Sequence, residues 1–240
     1  MKPQPQPQPT KRTKKRARRM ESAVIIYQSV ILVITNLIKP STNDKTGDMV
    51  QTWLLDRDLL TAPKVFGAKC TSCPMVQECY VSENTMGHKS VRKATLKALG
   101  LIEGNTSYQV TTLEQVLPLL RGRKLRLGAY GDPSALPIED LRALVSASDG
   151  HTGYTHFYKE VDPAYAEFLM ASVEDLASEM LAQSLGYRTY RVLRKGESDH
   201  EVTDRSILCL ESSKGIQCAD CLVCSGTSKP NAKHVYIYEH

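Results

Sequence analysis

Seven cysteines in two tight groups constrain this chain more than any other feature of its sequence. The groups have the patterns C-x2-C-x5-C and C-x8-C-x2-C-x2-C; their members are Cys70, Cys73 and Cys79, and then Cys209, Cys218, Cys221 and Cys224. A gap of two residues lets one short loop direct two sulfurs at the same metal. Four thiolates complete a tetrahedral site or a cubane cluster, whereas three leave one coordination position open for chemistry. We therefore expect metal-binding loops at residues 66–82 and 207–228.

Disulfides are the main alternative to metal binding for these cysteines, and unligated thiols are a further one. The odd count and the lack of a secretory signal with a cleavage site argue against disulfides. The choice between an iron–sulfur cluster and zinc stays open. Three cysteines at two-residue gaps, from Cys218 to Cys224, are crowded for one zinc ion and frequent in ferredoxin-type clusters, so we favour iron–sulfur.

The size and composition of the chain indicate one globular domain. Its 240 residues can bury a sizeable core, and its 41% hydrophobic and 24% charged residues are typical of soluble proteins. The formal net charge of +5 arises in the first 19 residues, which hold eight basic residues and no acid, leaving 23 basic against 26 acidic residues elsewhere. We expect a single α/β domain at residues 21–240 and a cytoplasmic location.

Residues 1–20 combine a Pro-Gln repeat with a basic run. The repeat, at residues 3–9, has no apolar residues to bury and favours extended geometry, which predicts disorder. Residues 11–19 hold seven Lys or Arg, a run that repels itself and attracts polyanions. Nucleic acid is thus the candidate partner of this run. The alternatives are a solvated tail, or a translated stretch upstream of a start at Met20.

An apolar run over residues 23–38 predicts a buried strand. It is dense in Val and Ile, which favours a strand at residues 30–35. A membrane anchor is the alternative. The run has 16 residues and includes polar side chains, whereas a spanning helix needs about 20 mostly apolar residues. We therefore expect no membrane partner.

Strands and helices alternate along the rest of the chain. We predict strands at residues 49–55, 124–130, 152–158, 168–173, 188–193, 206–210 and 234–238, and helices at residues 90–99, 112–120, 137–147 and 176–185. This alternation predicts an α/β fold with mostly parallel strands, either an open sheet or a partial or distorted (β/α) barrel, plus cysteine-rich loops. In both architectures, sites lie beyond the carboxyl ends of the strands.

The turn after residues 124–130 is the main candidate site outside the cysteines. Gly131 permits a sharp turn and a close approach to a ligand, and Pro133 fixes the exit of the chain. Asp132 places a carboxylate at the strand end, where it can accept a hydrogen bond from an ammonium or hydroxyl group. An ordinary strand-to-helix turn would explain the same residues.

Two later strand ends carry further candidates. Tyr154 and His156 alternate onto one face, which aims His156 at the site if that face is the interior; a satisfied structural histidine is the alternative. Ser172 and Glu174 either face the site or, for Glu174 with Asp175, cap the next helix. The chain has no P-loop, dinucleotide fingerprint, H-E-x-x-H or G-x-S-x-G motif, so hydrolases and dehydrogenases built on those motifs are not supported.

From residue 45 onward the sequence resembles a family of uncharacterised proteins encoded by bacteriophages and their hosts. The resemblance rests on K-T-G-D-M-V-Q-T-W-L-L (45–55), C-x2-C-P with a later C-Y-V (70–81), R-L-G-A-Y-G-D-P (126–133), T-G-Y-T-H (152–156), M-A-S-V-E (170–174), R-T-Y-R-V (188–192) and the final cysteine group. It covers about 200 residues and leaves out the basic tail. It implies no particular activity. It implies that the protein is located in the cytoplasm of a host cell.

More distantly, the order of parts is similar to that of radical S-adenosylmethionine enzymes. Those have a partial α/β barrel, a three-cysteine loop after the first strand, and a Gly-Gly-Glu-Pro-like turn that holds the amino group of the cofactor. The resemblance implies a 4Fe-4S cluster with one open iron on the three-cysteine group, and S-adenosylmethionine beside it. The resemblance implies that Gly131 and Asp132 bind this cofactor, with Ser172 and Glu174, at a later strand end, as further candidates for binding it.

Two functions follow from these observations. The first is an iron–sulfur protein on a radical-enzyme-like barrel, with Asp132 and His156 as catalytic residues and the four-cysteine group as an auxiliary or structural site. Electrons would reach the open cluster and cleave S-adenosylmethionine reductively. The second is a non-enzymatic protein in which zinc holds the loops and residues 11–19 contact nucleic acid. The metal content of protein purified without oxygen discriminates between the two.

Overall fold

The computed structural model describes residues 20–62, 64–79, 86–198, 203, 205–228 and 233–239. The strands are β1 (Ser22–Ile26), β2 (Val30–Thr35), β3 (Met49–Asp56), β4 (Tyr108–Val110), β5 (Lys124–Tyr130), β6 (His151–Thr152), β7 (Tyr154–Thr155), β8 (Met170–Val173), β9 (Thr189–Leu193), β10 (Ser206–Leu208) and β11 (His234–Tyr238). The α-helices are α1 (Met86–Ala98), α2 (Leu113–Val116), α3 (Ile138–Ala147), α4 (Leu176–Ser184), α5 (Leu210–Lys214) and α6 (Cys218–Cys221). Single 3-10 turns lie at Cys70–Ser72, Leu117–Leu120, Pro133–Ala135 and Pro163–Glu167. The predicted disordered tail, with its basic run at residues 11–19, lies outside the described residues.

The first sheet has the strand order β4-β1-β2-β3-β5-β6. Strands β1, β2 and β3 form an antiparallel meander at one side. Strand β3 then pairs in parallel with β5, and β5 in parallel with β6. All six side chains of β2 are buried, as expected for a Val- and Ile-rich strand covered on both faces.

The second sheet is parallel throughout and has the order β10-β11-β9-β8-β7. Its edge strand β7 is separated from β6 of the first sheet by Gly153 alone. The Gly153 N–H donates to the Cys224 carbonyl at 3.0 Å, and the Gly153 carbonyl accepts from the Met170 N–H at 3.0 Å. The polypeptide therefore passes directly from one sheet to the other at this residue.

These two mostly parallel sheets confirm the predicted α/β class. Helices α2 and α3 cover one face of the first sheet through Leu113, Val116, Leu141 and Leu144. Helix α1 and the segment after β3 cover the other face. In the second sheet, α4 covers one face, whereas Cys224 packs on the opposite face. The cysteine-bearing segments thus lie on the faces of the sheets opposite α2, α3 and α4.

The apolar run at residues 23–38 forms two strands where we predicted one. The predicted strand at residues 30–35 is confirmed as β2, and β1 pairs with it through a tight turn in which the Tyr27 N–H donates to the Val30 carbonyl at 2.8 Å. No helix among the described residues combines the length and apolar character that crossing a bilayer requires.

The predicted strand at residues 152–158 is wrong beyond Thr155. The N–H of His156 donates to a carboxylate oxygen of Asp132 at 3.0 Å, and the N–H of Phe157 donates to the Thr155 hydroxyl at 3.0 Å. Both donors are thereby withdrawn from strand pairing. The prediction also failed at Gly153, where the chain leaves one sheet for the other.

Candidate metal centre

The carboxyl ends of strands from both sheets lie around the first cysteine group. The Asp132 N–H, just after β5, donates to the Ala68 carbonyl at 3.0 Å, and the Ala68 N–H donates to the Leu54 carbonyl of β3 at 2.9 Å. His156 follows β7 and Glu174 follows β8. The cysteine loop therefore folds back over the carboxyl ends of these strands, where the sequence predicted a site.

The three sulfurs of the first group lie within electrostatic range of one another. Cys70 begins a 3-10 turn directly after Lys69, which has a left-handed backbone with φ of 62°. Burial, and then the charges of Cys73, Cys79 and Asp132, raise the pKa of Cys70 to about 12, while a hydrogen bond from the Gly131 N–H acts in the opposite direction. The half-buried Cys70 thiol therefore stays protonated at neutral pH unless a bound cation stabilises the thiolate.

Two glycines allow close packing around the cysteine loop, one against the Leu54 carbonyl and one against the Cys70 sulfur. Gly131 has φ of 77°, and a Cβ there would lie 2.0 Å from the Leu54 carbonyl oxygen, so only glycine fits. A Cβ on Gly67 would lie 2.5 Å from the Cys70 sulfur and 3.0 Å from the Tyr130 ring. The backbone is therefore shaped to bring an N–H group against this sulfur.

Asp132 uses both carboxylate oxygens to hold the turn. One oxygen accepts from the N–H and the hydroxyl of Ser134 at 2.9 and 2.7 Å, and the other accepts from the N–H of His156 at 3.0 Å. The ammonium of Lys69 donates to the Ser134 hydroxyl at 3.1 Å and lies 4.8 Å from the centre of the Phe157 ring. Asp132 thus ties the end of β5 to the end of β7 beside the cysteine loop.

His156 connects the cysteine loop to the end of β8. Its ring hydrogen-bonds to Cys73, and its Nε2 atom lies 3.4 Å from an oxygen of Glu174. Burial opposes protonation of the ring, but the hydrogen bonds and charges of Cys73 and Glu174 outweigh burial and raise the pKa of His156 to about 10. The arrangement is a chain of contacts from a cysteine through an imidazole to a carboxylate.

Ser172 lies in β8, two residues before Glu174, on the face of the sheet that packs against the second cysteine group. Alternation along β8 places Ser172 on the face of Met170, and Met170 packs against Cys224. The neighbouring Ala171 and Val173 pack on the opposite face, towards α4. Of the residues implied to bind a cofactor, Gly131, Asp132 and Glu174 therefore lie around the first cysteine group, and Ser172 lies further along the same sheet.

The four-cysteine group is assembled from segments that are distant in sequence. Cys218 and Cys221 lie on α6, Cys209 follows β10, and Cys224 is buried beneath the second sheet. The N–H of Cys218 donates to the Lys45 carbonyl at 3.1 Å, which anchors α6 to the segment before β3. Burial raises the pKa of Cys224 to about 12; a hydrogen bond from the Tyr154 hydroxyl opposes this, and the charges of the other three cysteines add to it. All four sulfurs therefore lie close enough for their charges to affect Cys224.

Arg188 holds the loop that carries Cys224. Its side chain is 6% exposed, and its Nη1 atom donates to the carbonyls of Val223 at 2.8 Å and Gly226 at 2.6 Å. Its Nε atom donates to the Lys233 carbonyl at 3.0 Å, and its Nη2 atom donates to the same carbonyl. One guanidinium thus fixes the backbone on both sides of Cys224.

Sequence reasoning missed four side chains that shape these sites, namely Lys69, Ser134, Tyr154 and Arg188. Tyr154 was assigned to the face of His156, but nothing in the sequence indicated that its hydroxyl meets Cys224. Each of the four acts through a partner at least 35 positions away in the chain. Only the strand alternation around Tyr154 gave a usable signal.

Neither cysteine group is closed by a covalent bond or arranged as a finished metal site. All seven cysteines fall within the described residues, and no disulfide joins any of them. In the same part of the chain, no three His, Cys, Asp or Glu side chains are placed as ligands of one metal ion. No protein-family model, no curated protein and no solved structure matches the chain.

Proposed function

We propose that this protein binds an iron–sulfur cluster or another thiophilic metal centre through Cys70, Cys73 and Cys79. The proposed reactive centre lies at the carboxyl ends of β3, β5, β7 and β8, and its fourth coordination position is open to a ligand. The four-cysteine group holds a second centre.

The observation that carries this proposal is the folding of the cysteine loop over the carboxyl ends of two parallel strands. The Ala68 N–H donates to the Leu54 carbonyl of β3 at 2.9 Å, and the Asp132 N–H, after β5, donates to the Ala68 carbonyl at 3.0 Å. The Gly131 N–H and the His156 ring are hydrogen-bond donors beside Cys70 and Cys73. A neutral thiol is a weak acceptor, whereas a metal-bound thiolate is a strong one whose properties depend on such donors.

The donor sets fit a soft metal. Thiolates select zinc and iron–sulfur clusters over hard cations such as magnesium. Cys70 and Cys224 are both held neutral by burial, and a bound cation reverses that preference. When bound, a cluster with an open iron supplies one-electron reduction of a ligand such as S-adenosylmethionine. The roles of the chain are to hold the sulfurs, to orient His156 through Asp132 and Glu174, and to exclude water with the loop after β3.

The run of parallel strands supports the finer proposal of a partial (β/α) barrel like that of radical enzymes. Strands β3, β5, β6 with β7, β8, β9 and β11 follow one another in space and in chain order. The cysteine loop follows the first strand of this run, and Gly131 and Asp132 follow the second. This is the order of parts that the resemblance implies.

Purification without oxygen, followed by iron, sulfide and zinc analysis, tests the proposal. We expect iron and sulfide in two populations and a broad visible absorption band. Cys70→Ala/Cys73→Ala should remove one population, and Cys218→Ala/Cys221→Ala should remove the other. Colourless protein that contains only zinc would refute the iron–sulfur form, and full metal retention by both variants would refute cysteine ligation.

A further inference from the structure

Helix α4 turns polar side chains inward and apolar side chains outward. Its inward side buries Glu179 and Ala182 against the second sheet. Four large apolar side chains point outward and are between 36% and 61% exposed; they are Leu176, Met180, Leu181 and, directly after the helix, Leu185. A surface helix normally turns its apolar stripe to the core and its polar residues to water. The orientation of α4 is therefore the reverse of the usual one.

A buried polar network attaches α4 to the second sheet. One carboxylate oxygen of Glu179 lies 3.3 Å from Nη1 of Arg191, and both side chains are buried. The other oxygen accepts hydrogen bonds from the Thr189 hydroxyl at 3.2 Å and the Thr203 hydroxyl at 3.1 Å. The helix is thus held to the sheet mainly by polar contacts, and its apolar side remains available to another surface.

The exposed apolar side chains of α4 form one continuous surface without charge. With about 3.6 residues per turn, six residues fall on one half of the helix circumference. We call them the outer face of α4: Leu176, Ala177, Met180, Leu181, Ser184 and Leu185. Between residues 176 and 185 the only charged residue is Glu179, which is turned inward. Of the twelve exposed large apolar side chains in the described part of the chain, four lie here. Contiguous exposed apolar surfaces of this kind mark sites of interaction.

We propose that a second copy of this chain docks on the outer face of α4, with the two helices antiparallel about a two-fold axis. Met180 and Leu181, at the middle of the helix, then meet their own copies near the axis, and Leu176 packs near Leu185 of the partner subunit. A two-fold contact must be complementary to itself. The outer face of α4 meets this condition, because it places no like charges opposite one another and carries Asp175 only at the far ends of the pair.

The area of the outer face of α4 sets the strength of the contact. With each of the four large side chains one-third to two-thirds exposed, the face presents roughly 350 Å² of apolar surface. Two copies bury about 700 Å², and because interfaces are about 60% apolar, the whole contact buries roughly 1,200 Å². This is the lower end of specific interfaces, so we expect an exchanging dimer with a Kd on the order of 10 to 100 µM.

This contact does not depend on the proposed metal centres. Helix α4 covers one face of the second sheet, whereas Cys224 packs on the opposite face. Failure of the dimer therefore leaves the proposed function intact, and failure of metal binding leaves the dimer intact.

Sedimentation velocity of the full chain over roughly 1 to 300 µM provides the test. A reductant and a chelator are present, so that the seven free cysteines cannot join two chains through disulfides or metal. We expect the average mass to rise with concentration from the 26.7 kDa of one chain towards twice that value. Met180→Glu places two like charges near the axis and should weaken the dimer by at least about 100-fold.

A complementary pair of variants tests the two-fold arrangement. Met180→Glu and Met180→Lys should each be monomeric alone, and an equal mixture of the two should dimerise, because opposite charges then meet near the axis. Leu101→Glu is the matched control: Leu101 is 57% exposed, close to the 61% of Met180, but lies outside α4. This change should leave the dimer unaffected.

Three results would overturn the proposal. A wild-type chain that stays monomeric throughout the concentration range rejects self-association. A dimer that Met180→Glu weakens no more than Leu101→Glu rejects the outer face of α4 as its contact. A mixture of Met180→Glu and Met180→Lys that stays monomeric rejects the two-fold arrangement. Circular dichroism and thermal melting of each variant identify any loss of folding, and Leu181→Glu, at a second exposed position of the same face, should repeat the loss of the dimer.

Discussion

Arg188 allows the construction of the four-cysteine site to be tested by one substitution. Arg188→Lys keeps the positive charge but replaces a planar fork with a single ammonium point. The fork reaches carbonyls on both sides of Cys224, at Val223 and Gly226, and a third at Lys233. A lysine at this position can satisfy one of these acceptors, so two of the three carbonyls lose their charged donor.

The magnitude follows from the number of bonds lost. Hydrogen bonds to a charged partner contribute about 1.5 to 3 kcal/mol each. Losing two of them predicts a decrease of about 3 to 6 kcal/mol in the free energy of unfolding. With a urea dependence of roughly 3 kcal/mol per molar, the unfolding midpoint of the metal-free protein should fall by roughly 1 to 2 M. Because the backbone around Cys224 is released, cobalt affinity at the four-cysteine group should fall as well.

Urea unfolding followed by circular dichroism, together with cobalt titration, measures both effects. Arg194→Lys is the matched control, because Arg194 is 56% exposed and its pair with Glu78 spans 3.4 Å at the surface. That change should alter stability by no more than about 0.5 kcal/mol. An Arg188→Lys protein with the midpoint and the cobalt affinity of the wild type would refute the assignment of Arg188 as the support of this loop.

Three further predictions concern the core, the Gly131 turn and the tail. Glu179→Gln should lower the free energy of unfolding by about 1.5 to 3 kcal/mol in urea, because the buried Arg191, 3.3 Å away, loses one of its two charged partners and keeps Glu197 at 3.1 Å; a loss below about 0.5 kcal/mol would contradict this. Gly131→Ala should destabilise the protein far more than Gly100→Ala, since both glycines have positive φ but only the Cβ at Gly131 meets a carbonyl; equal melting temperatures would count against the collision. Deletion of residues 1–19 should abolish salt-sensitive DNA binding, and unchanged binding would reject the tail as the contact.

Three strands have the bounds that the sequence predicted. Residues 30–35, 124–130 and 234–238 form β2, β5 and β11. In β5, Leu125 and Leu127 alternate with polar residues between Gly122 and Gly131, which both have positive φ, although Gly128 inside the strand has positive φ as well. Local composition therefore suffices where apolar residues are dense or alternate along the strand.

The two failures have different causes. The strand after Gly153 ends early because Asp132, 24 positions away, captures the N–H of His156. A single sequence contains no direct record of such a tertiary hydrogen bond. Strand β1 was missed because the turn at Tyr27 contains no Gly or Pro, so no turn residue divides it from β2.

For the candidate site, the sequence indicates where the residues lie but not which contacts they make. Parallel topology alone brings strand ends together, so Asp132, His156 and Glu174 could be placed near the first cysteine loop. Their contacts could not be derived. In this structure both carboxylate oxygens of Asp132 accept hydrogen bonds, from Ser134 and from His156. The spacing of these residues in the sequence does not give the distances between them.

The two cysteine groups are held by different means, and this decides how they respond to change. The first depends on donors that reach its sulfurs from Gly131 and His156. The second depends on backbone anchors at Cys218 and on Arg188. A change at either set of supports should therefore affect one group alone. Gly153 is the exception, because it sets where the chain crosses between the sheets just before Tyr154 and His156, and its N–H binds the Cys224 carbonyl. Any shift of the chain at Gly153 displaces the supports of both groups together, since Tyr154 and His156 follow Gly153 directly in the chain.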